Sequence, residues 1–575
     1  MADDSERSRE LASLLKRRGV VFPAFEIHGG VAGLFDYGPV GGRLLRKVQQ
    51  RWREYWLSKG NIVEIDSPTV TPSAVLEASG HVGAFNDYAS ECNKCGAVFR
   101  SDHLVEDFHP SPDSLPGDQL DGLLEQHTIA CPSCDEASWK PSRPMNLMFS
   151  TMIGAVGGGR QAYLRPETAQ GMFVTFPSLL RHFRDRLPFG AVQIGKGYRN
   201  EISPRQGMIR QREFNMAELE YFIDPESSKE EDFSPWQGIS VALVPDPQGE
   251  PHAEVIMGFE EALGKGVIRN ATVARFMAET LTLVLSLGAD PSKIRFRQHE
   301  ADEMAHYATD CWDLEMFGSY GWVECVGIAH RGCYDLSAHE PATSGTSMRV
   351  WKEFDEPRVI DKMAVTPVHS QVGPAFKKQA GAVKDALDSL HEVPEQFPFE
   401  LHLADGTTVT ITSEMVEVKR VQKTTNGEWV LPHVVEPAFG LDRIIWHLID
   451  HAYQKTNKDG DEYVVLSLAE SVAPYDAVVL PLFEKDGMSE MATDIQKTIL
   501  GHAGLAAYYD GSRSIGRRYA RADEIGVPWA ITVDHQSLED GTVTVRRRDD
   551  QIQIRLSSKD VVHHLRSGTL GAAFQ

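Results

Sequence analysis

Residues 197–214 read GYRNEISPRQGMIRQREF, with Arg199, Arg205, Arg210 and Arg212 inside fourteen residues. Arg199 and Glu201 are two apart and share a strand face; Arg212 and Phe214 do the same after the loop. A guanidinium is a planar fork that grips phosphate or carboxylate through paired hydrogen bonds. Arginines at both ends of a returning loop therefore suit a ligand with several negative oxygens. The plain alternative is a solvated, charge-rich hairpin. A second chemical signal is CNKCG and CPSC, whose cysteines Cys92, Cys95, Cys131 and Cys134 enclose a gap of 35 residues. Four thiolates so spaced suit a tetrahedral structural zinc, against an insertion of reduced cysteines that has lost its metal.

The chain around these residues has 575 amino acids, a formal net charge of -24, 42% hydrophobic and 24% charged residues. Such a length implies about three or four domains. No apolar run of about 18 residues offers a membrane span, and the charged start MADDSERSRELASLLKRRG lacks the apolar core of a secretory signal. Cysteines arranged as two CxxC pairs point to a reducing, cytoplasmic setting. The acidic balance argues against indiscriminate nucleic-acid binding while leaving room for local basic patches.

These residues need elements to hold them. Leu44, Leu45, Val48, Trp52, Tyr55 and Trp56 recur at helical spacing and predict a helix over 40–58. A strand in NIVEIDS and the proline-closed SPTVTP follow it. Residues 92–144 read as an insertion, 160–223 as strand-loop-strand and 224–270 as a variable excursion. A helix is predicted over 271–288 and a strand in KIRFRQHE, then a polar insertion over 352–425. Residues 428–450 read as strand, glycine turn and helix. Beyond about 470 the strands YDAVVLPLF, LAAYYDG and PWAITVD alternate with helices and end in the hairpin TVTVRRRDDQIQIRL, which marks a separate α/β domain.

Read in order, the helix-strand-proline unit at 40–72, RNE…REF at 199–214 and FGLDR at 439–443 resemble the three signature motifs of class II aminoacyl-tRNA synthetases. LRPETAQGMF, CWDLE, HRGCYDLSAH and VVEPAFGLDR sharpen this to a resemblance with glycyl-tRNA synthetases of the archaeal and eukaryotic dimeric type, over about residues 20–570. The resemblance implies an α+β fold: a class II antiparallel-sheet catalytic core (1–91, 145–223, 271–351, 426–469) with insertions at 92–144, 224–270 and 352–425. The last insertion is a candidate contact for the tRNA acceptor end. A C-terminal α/β anticodon-binding domain covers 470–575. The implied reaction is ATP-dependent activation of glycine and its transfer to the 3′ end of tRNA(Gly).

By the same resemblance, the two catalytic arginines are Arg199, on the α-phosphate, and Arg443, which closes the other side on the γ-phosphate. Asn200, Glu201, Arg210, Gln211, Phe214, Glu324 and Cys325 complete the ATP site, with Phe214 flat against adenine and Glu324 holding Mg2+. Such phosphoryl chemistry needs positioning and charge rather than a nucleophilic side chain, so Cys325 and Cys333 are packing or backbone-contact positions. Glu167, Glu218 and Glu436, with Pro437 and Ala438, surround glycine. Three acids around one ammonium repel one another when empty, which predicts raised pKa values. Ala438 departs from the serine usual in the family and removes one hydroxyl contact.

The cysteine insertion is expected to be a local fold prop distant from the chemistry. Arg513, Arg517, Arg518, Arg521, Arg546, Arg547 and Arg548 are expected to form a basic tRNA-docking patch, although helix-surface pairing with acids is the alternative. The 40–58 helix is expected at a homodimer interface, with an internal core helix as the alternative. Rival readings are a non-catalytic relative kept for nucleic-acid binding and a class II enzyme for another amino acid. The retained motif arginines oppose the first; RPETAQG with MAELE and VVEP opposes the second.

Overall fold

A nine-stranded sheet carries the arginine and glutamate motifs. The computed structural model describes residues 2–574 apart from 110–111, 156–157, 205, 227–230, 247–252, 301–307, 344, 391–392, 395 and 459. From one edge, the strands are Val255–Met257, Val241–Val244, Ile294–Gln298, Asp310–Gly318, Gly321–Gly332, His433–Gly440, Glu213–Ile223, Phe189–Tyr198 and Ile62–Glu64. Neighbours run antiparallel except Val241–Val244 beside Ile294–Gln298 and Ile62–Glu64 beside Phe189–Tyr198. The architecture is α+β, as expected.

Period-two alternation divides each strand between two faces. Leu219, Tyr221, Val435 and Phe439 face one core, filled by helices Gly41–Leu57, Ala271–Ser286 and Leu441–Ala452. Trp52 and Trp56 pack edge-on against Phe439, at ring distances of 5.7 and 6.1 Å. Truncating Phe439 to alanine would cost about 3–5 kcal/mol. Phe222 and Val434 face the other side, against helix Ala169–His182 through Phe173 and Phe176. That helix covers only part of its face, and the functional cleft opens beside it.

Several expectations are corrected here. Residues 160–223 are not strand-loop-strand throughout, because Ala169–His182 is helical despite an internal Pro177. The excursion at 224–270 is part of the sheet: Val241–Val244 and Val255–Met257 form its edge. The apolar stripe of Gly41–Leu57 is not a surface for a partner copy, since Leu44, Val48, Trp52 and Trp56 are all buried in the chain's own core.

The cysteine insertion begins earlier than 92, where Asn86–Glu91 pairs with Val98–Arg100 and with Arg143–Asn146. Residues 352–425 form a small domain with its own core around Val372, Val383, Leu401 and Ile411. It stands on the paired strands Val350–Pro367 and Val416–Val430. The C-terminal domain is a five-stranded sheet ordered Ala507–Tyr509, Ala477–Pro481, Trp529–Val533, Thr542–Arg547, Gln553–Ser557. It meets the rest of the chain through Lys47 and Asp476 at 2.7 Å and through Arg17 and Glu524 at 3.0 Å. The helix Ala2–Arg17 also ties Arg7 to Asp450 at 2.6 Å.

Candidate active site

The strands Phe189–Tyr198 and Glu213–Ile223 pair until Tyr198 faces Glu213, and the Arg199 amide extends the ladder to the Arg212 carbonyl at 2.9 Å. Gly197 opposite Phe214 has a steric reason: a Cβ there would stand 2.7 Å from the Phe214 ring. The ring thus lies over the strand. Arg199 rests between two aromatic faces, 5.4 Å from Phe85 and 5.4 Å from Phe214. Its buried Nε has no hydrogen-bond partner, and neither has the Glu201 Oε2.

Arg212 turns away from the ligand side and ties backbone together, donating to the carbonyls of Ala32 at 2.8 Å and Glu201 at 2.9 Å. Arg205 lies outside the described residues. Arg443 approaches from the start of Leu441–Ala452 and donates to the Glu324 carbonyl at 2.8 Å and carboxylate at 3.1 Å. Arg199 and Arg443 line a cleft of about 720 Å³ with Glu201, Arg210, Gln211, Phe214, Glu218, Glu324, Cys325 and Ala438. Asn200 stands beside this cleft, its amide bonded to the Leu147 carbonyl at 2.7 Å. Pro437 points to the opposite face from Glu436 and Ala438.

Glu324 is half exposed to the cleft. Protein crowding opposes its ionisation, yet Arg443, with His299 and Arg199 beyond, holds the carboxyl below its ordinary range. Cys325 behaves as a packing residue: burial pushes its thiol well up.

The three glutamates do converge, and they do not titrate alike. Burial, then Glu436 and Glu167, pushes Glu218 up to about 8 although Thr168 donates to it at 2.7 Å from its amide. Burial likewise raises Glu436, against the pull of Arg331. Glu167 corrects the expectation. Burial opposes its charge, but His81 at 3.5 Å and Arg331 hold it well below the ordinary glutamate range.

Sequence reasoning missed the residues that organise this cage. Arg331 is fully buried and binds Glu436 at 2.7 Å and Asp335 at 2.8 Å. Gln170 donates to both Glu167 and Asp335 at 3.0 Å. Glu220 is buried with neither carboxylate oxygen partnered, and burial raises its pKa well above normal. Asp442 accepts from Tyr37 at 2.5 Å, Gln211 at 2.9 Å and the Asn215 amide at 2.7 Å. It thereby locks the FGLDR turn to the strand carrying Phe214. Arg331 and Asp442 both stand inside motifs already singled out; a charged residue in an otherwise apolar run was their signal.

The four cysteine sulfurs all lie within 4.8 Å of one another. Cys92 and Cys134 are 3.6 Å apart, Cys95 and Cys131 3.7 Å. A tetrahedron with Zn–S of about 2.3 Å has edges of about 3.8 Å, so the donors fit zinc. The insertion that carries the cluster docks on the arginine loop, while the cysteines themselves do not line the cleft. Ser203 in the arginine loop donates to the Val98 carbonyl at 2.5 Å, and Ile202 packs on Ala89.

The C-terminal arginines correct a second expectation. Arg546 is buried in a two-bond pair with Asp523 at 2.9 and 3.0 Å. Arg521 binds Asp510, Arg547 binds Asp550, and buried Arg548 donates to the Gly526 carbonyl. Arg518 is buried against the carbonyls of Pro481, Ser512 and Arg513. Arg513 and Arg517 are the exposed pair.

Comparison with known proteins agrees with this geometry. Residues 156–243 match the tRNA synthetase class II core domain (G, H, P, S and T), and 476–567 match an anticodon binding domain. The chain is 42% identical over 569 residues to the glycine–tRNA ligase of Methanothrix thermoacetophila, covering 98% of both chains. It is 45% identical to that of Methanocaldococcus jannaschii, covering 97% of this chain and 98% of the relative. Against the Archaeoglobus fulgidus ligase the identity is 44%, over 95% and 94%.

Proposed function

The chain belongs to the glycine–tRNA ligase family of class II synthetases, and from that premise we propose how its residues divide the reaction. The enzyme activates glycine with ATP to glycyl-adenylate and passes the acyl group to the 3′ end of tRNA(Gly), releasing AMP and pyrophosphate. The observation that carries the assignment of residues is the convergence of Arg199, Arg443 and Glu218 on one cleft.

In this reading the glycine carboxylate attacks the α-phosphorus while Arg199 faces the charge that builds there. Arg199 is suited to it, because aromatic faces hold the guanidinium without neutralising it. Arg210 and Arg443 meet the terminal phosphates. Phe214 supplies the adenine platform, and Glu201, Gln211 and the Cys325 backbone complete the ATP contacts. Glu324, open to the cleft and kept ionised by Arg443, suits the magnesium that accompanies ATP. When bound, that ion neutralises phosphate charge and orients the pyrophosphate.

The ammonium of glycine sits among Glu167, Glu218 and Glu436. Glu167 is ionised before glycine arrives, whereas Glu218 must give up a proton to join it. Crowding by this cage excludes a substituted α-carbon; apolar attraction could discriminate a methylene by only about 1–3 kcal/mol. Glycine-dependent ATP–pyrophosphate exchange tests the reading. Exchange with another amino acid, or none, would overturn it.

Cys92, Cys95, Cys131 and Cys134 hold a structural zinc in this reading, in keeping with a reducing cytoplasm. Metal analysis finding well under one zinc per chain would refute that. The small domain over 352–425 meets the tRNA acceptor arm and the C-terminal domain the anticodon arm. Among the described residues, no helix is long and apolar enough to cross a membrane. A homodimer is part of the proposal, with an interface elsewhere than the stripe of Gly41–Leu57; solution mass measurement checks it.

A further inference from the structure

We propose that His103, carried by the four-cysteine insertion, is a positioning residue for Arg210. It holds the guanidinium at the cleft mouth before nucleotide arrives. The inference rests on the reading that Arg210 meets the phosphates of ATP. Arg210 Nη1 lies 3.0 Å from Nε2 and 3.3 Å from Nδ1 of the His103 ring. In an unprotonated imidazole one ring nitrogen accepts without bringing charge. It aims an arginine without cancelling its charge, whereas a carboxylate would compete with the incoming phosphate.

His103 itself is held in place from behind. It belongs to the short turn of helix Ser101–Leu104, which directly follows the strand Val98–Arg100. Ser101 is fixed by hydroxyl contacts with Ser90 at 2.7 Å and Ser142 at 2.8 Å. Phe99, two residues before Ser101, packs against Cys92 and Cys131 and meets Trp139 edge-on at 5.9 Å. The four-cysteine cluster is therefore the foundation of the strand that presents His103.

The loop needs such a hold. Ser203 and Gln206 adopt positive φ values of 51° and 65°, a costly conformation for residues with a side chain. It persists where surroundings over-determine it, here through the Ser203 bond to the Val98 carbonyl. A second cleft of about 860 Å³ separates insertion and loop, walled by Phe99, His103, Pro132, Gln206 and Arg210. Arg210 lines both clefts, so without His103 it has open space on its far side.

The test compares variants of the full chain by ATP affinity in calorimetry and by exchange kinetics. His103→Ala is expected to raise the Kd and KM for ATP about three- to tenfold, the scale of one hydrogen bond, with kcat within about twofold of the parent, since bound nucleotide then orders the loop. His103→Gln, which keeps an acceptor, should restore the affinity. Arg210→Ala sets the reference and should lose more. If Arg210→Ala weakens ATP and His103→Ala does not, the positioning role is wrong and the cleft reading stands. If His103→Ala weakens ATP without glutamine rescue, the role is structural and the inference fails. If Arg210→Ala leaves ATP affinity unchanged, the cleft reading itself fails. Because His103 is exposed, these variants leave the folded core intact, which equal melting temperatures will verify.

Discussion

Arginine is used in opposite ways in the cleft and in the C-terminal domain. In the cleft, Arg199 lies between two aromatic rings with its Nε unpartnered, and Arg210 leans on a histidine. In the C-terminal domain, Arg546 is saturated by Asp523, Arg521 by Asp510 and Arg518 by three carbonyls. Both groups are clusters in the sequence. In the first, Arg199 and Arg210 retain charge for a ligand; in the second, Arg518, Arg521 and Arg546 are consumed in fixing the fold and leave Arg513 and Arg517 exposed. Clustering of like charge says little until its partners are known, because a buried arginine must be paired to be tolerated at all.

The sharpest way to break this contrast is Arg546→Ala. Removing one partner of the buried pair should destabilise the C-terminal domain by about 3–5 kcal/mol, read as an earlier denaturation transition, while glycine-dependent exchange on the sheet persists. Arg199→Ala should do the reverse: a loss of about 10²–10³ in exchange rate with melting shifted by no more than about 0.5 kcal/mol in stability. Equal behaviour of the two variants would erase the distinction.

The acid cage sharpens it through pH. A carboxyl raised in the folded state contributes stability below its unfolded pKa and loses that contribution as pH climbs to the folded value. Glu218, at about 8 without ligand, thus favours the apo chain at low pH and must lose its proton, becoming charged, to meet the glycine ammonium. The KM for glycine should fall about tenfold per unit as pH rises towards 8 and then level; Glu218→Gln should flatten the profile. The smallest expected effect is that of Ala438→Ser. Ala438 lines the cleft opposite Glu218, and a restored hydroxyl should lower the glycine KM about two- to tenfold. An unchanged KM would mean another donor already serves.

The parts legible in the sequence were those whose spacing is dictated locally. The stripe of the 40–58 helix, the RNE and REF arms and the strand–turn–helix around FGLDR follow from period and turn chemistry alone. Helix Ala169–His182 was hidden because Pro177 breaks its pattern, and the strand Val241–Val244, next to the sheet edge, because a Pro/Gly-rich setting masks four residues of strand. Long-range pairing was less legible still. Arg546 and Asp523 are 23 positions apart, and Arg331 meets Glu436 across 105. Residue types announce that such charges need partners without saying which. That is why the fate of Arg518, the opposite titration of Glu167 and Glu218, and the docking of the cysteine insertion on the arginine loop emerged only from the fold.

The helix Ala2–Arg17 bonds at one end to Asp450 and at the other to Glu524, partners 443 and 507 positions along the chain. During synthesis the helix can pair at once with its sequence neighbours, as Lys16 does with Glu26, but its ties to Asp450 and Glu524 can close only after those distant partners have emerged.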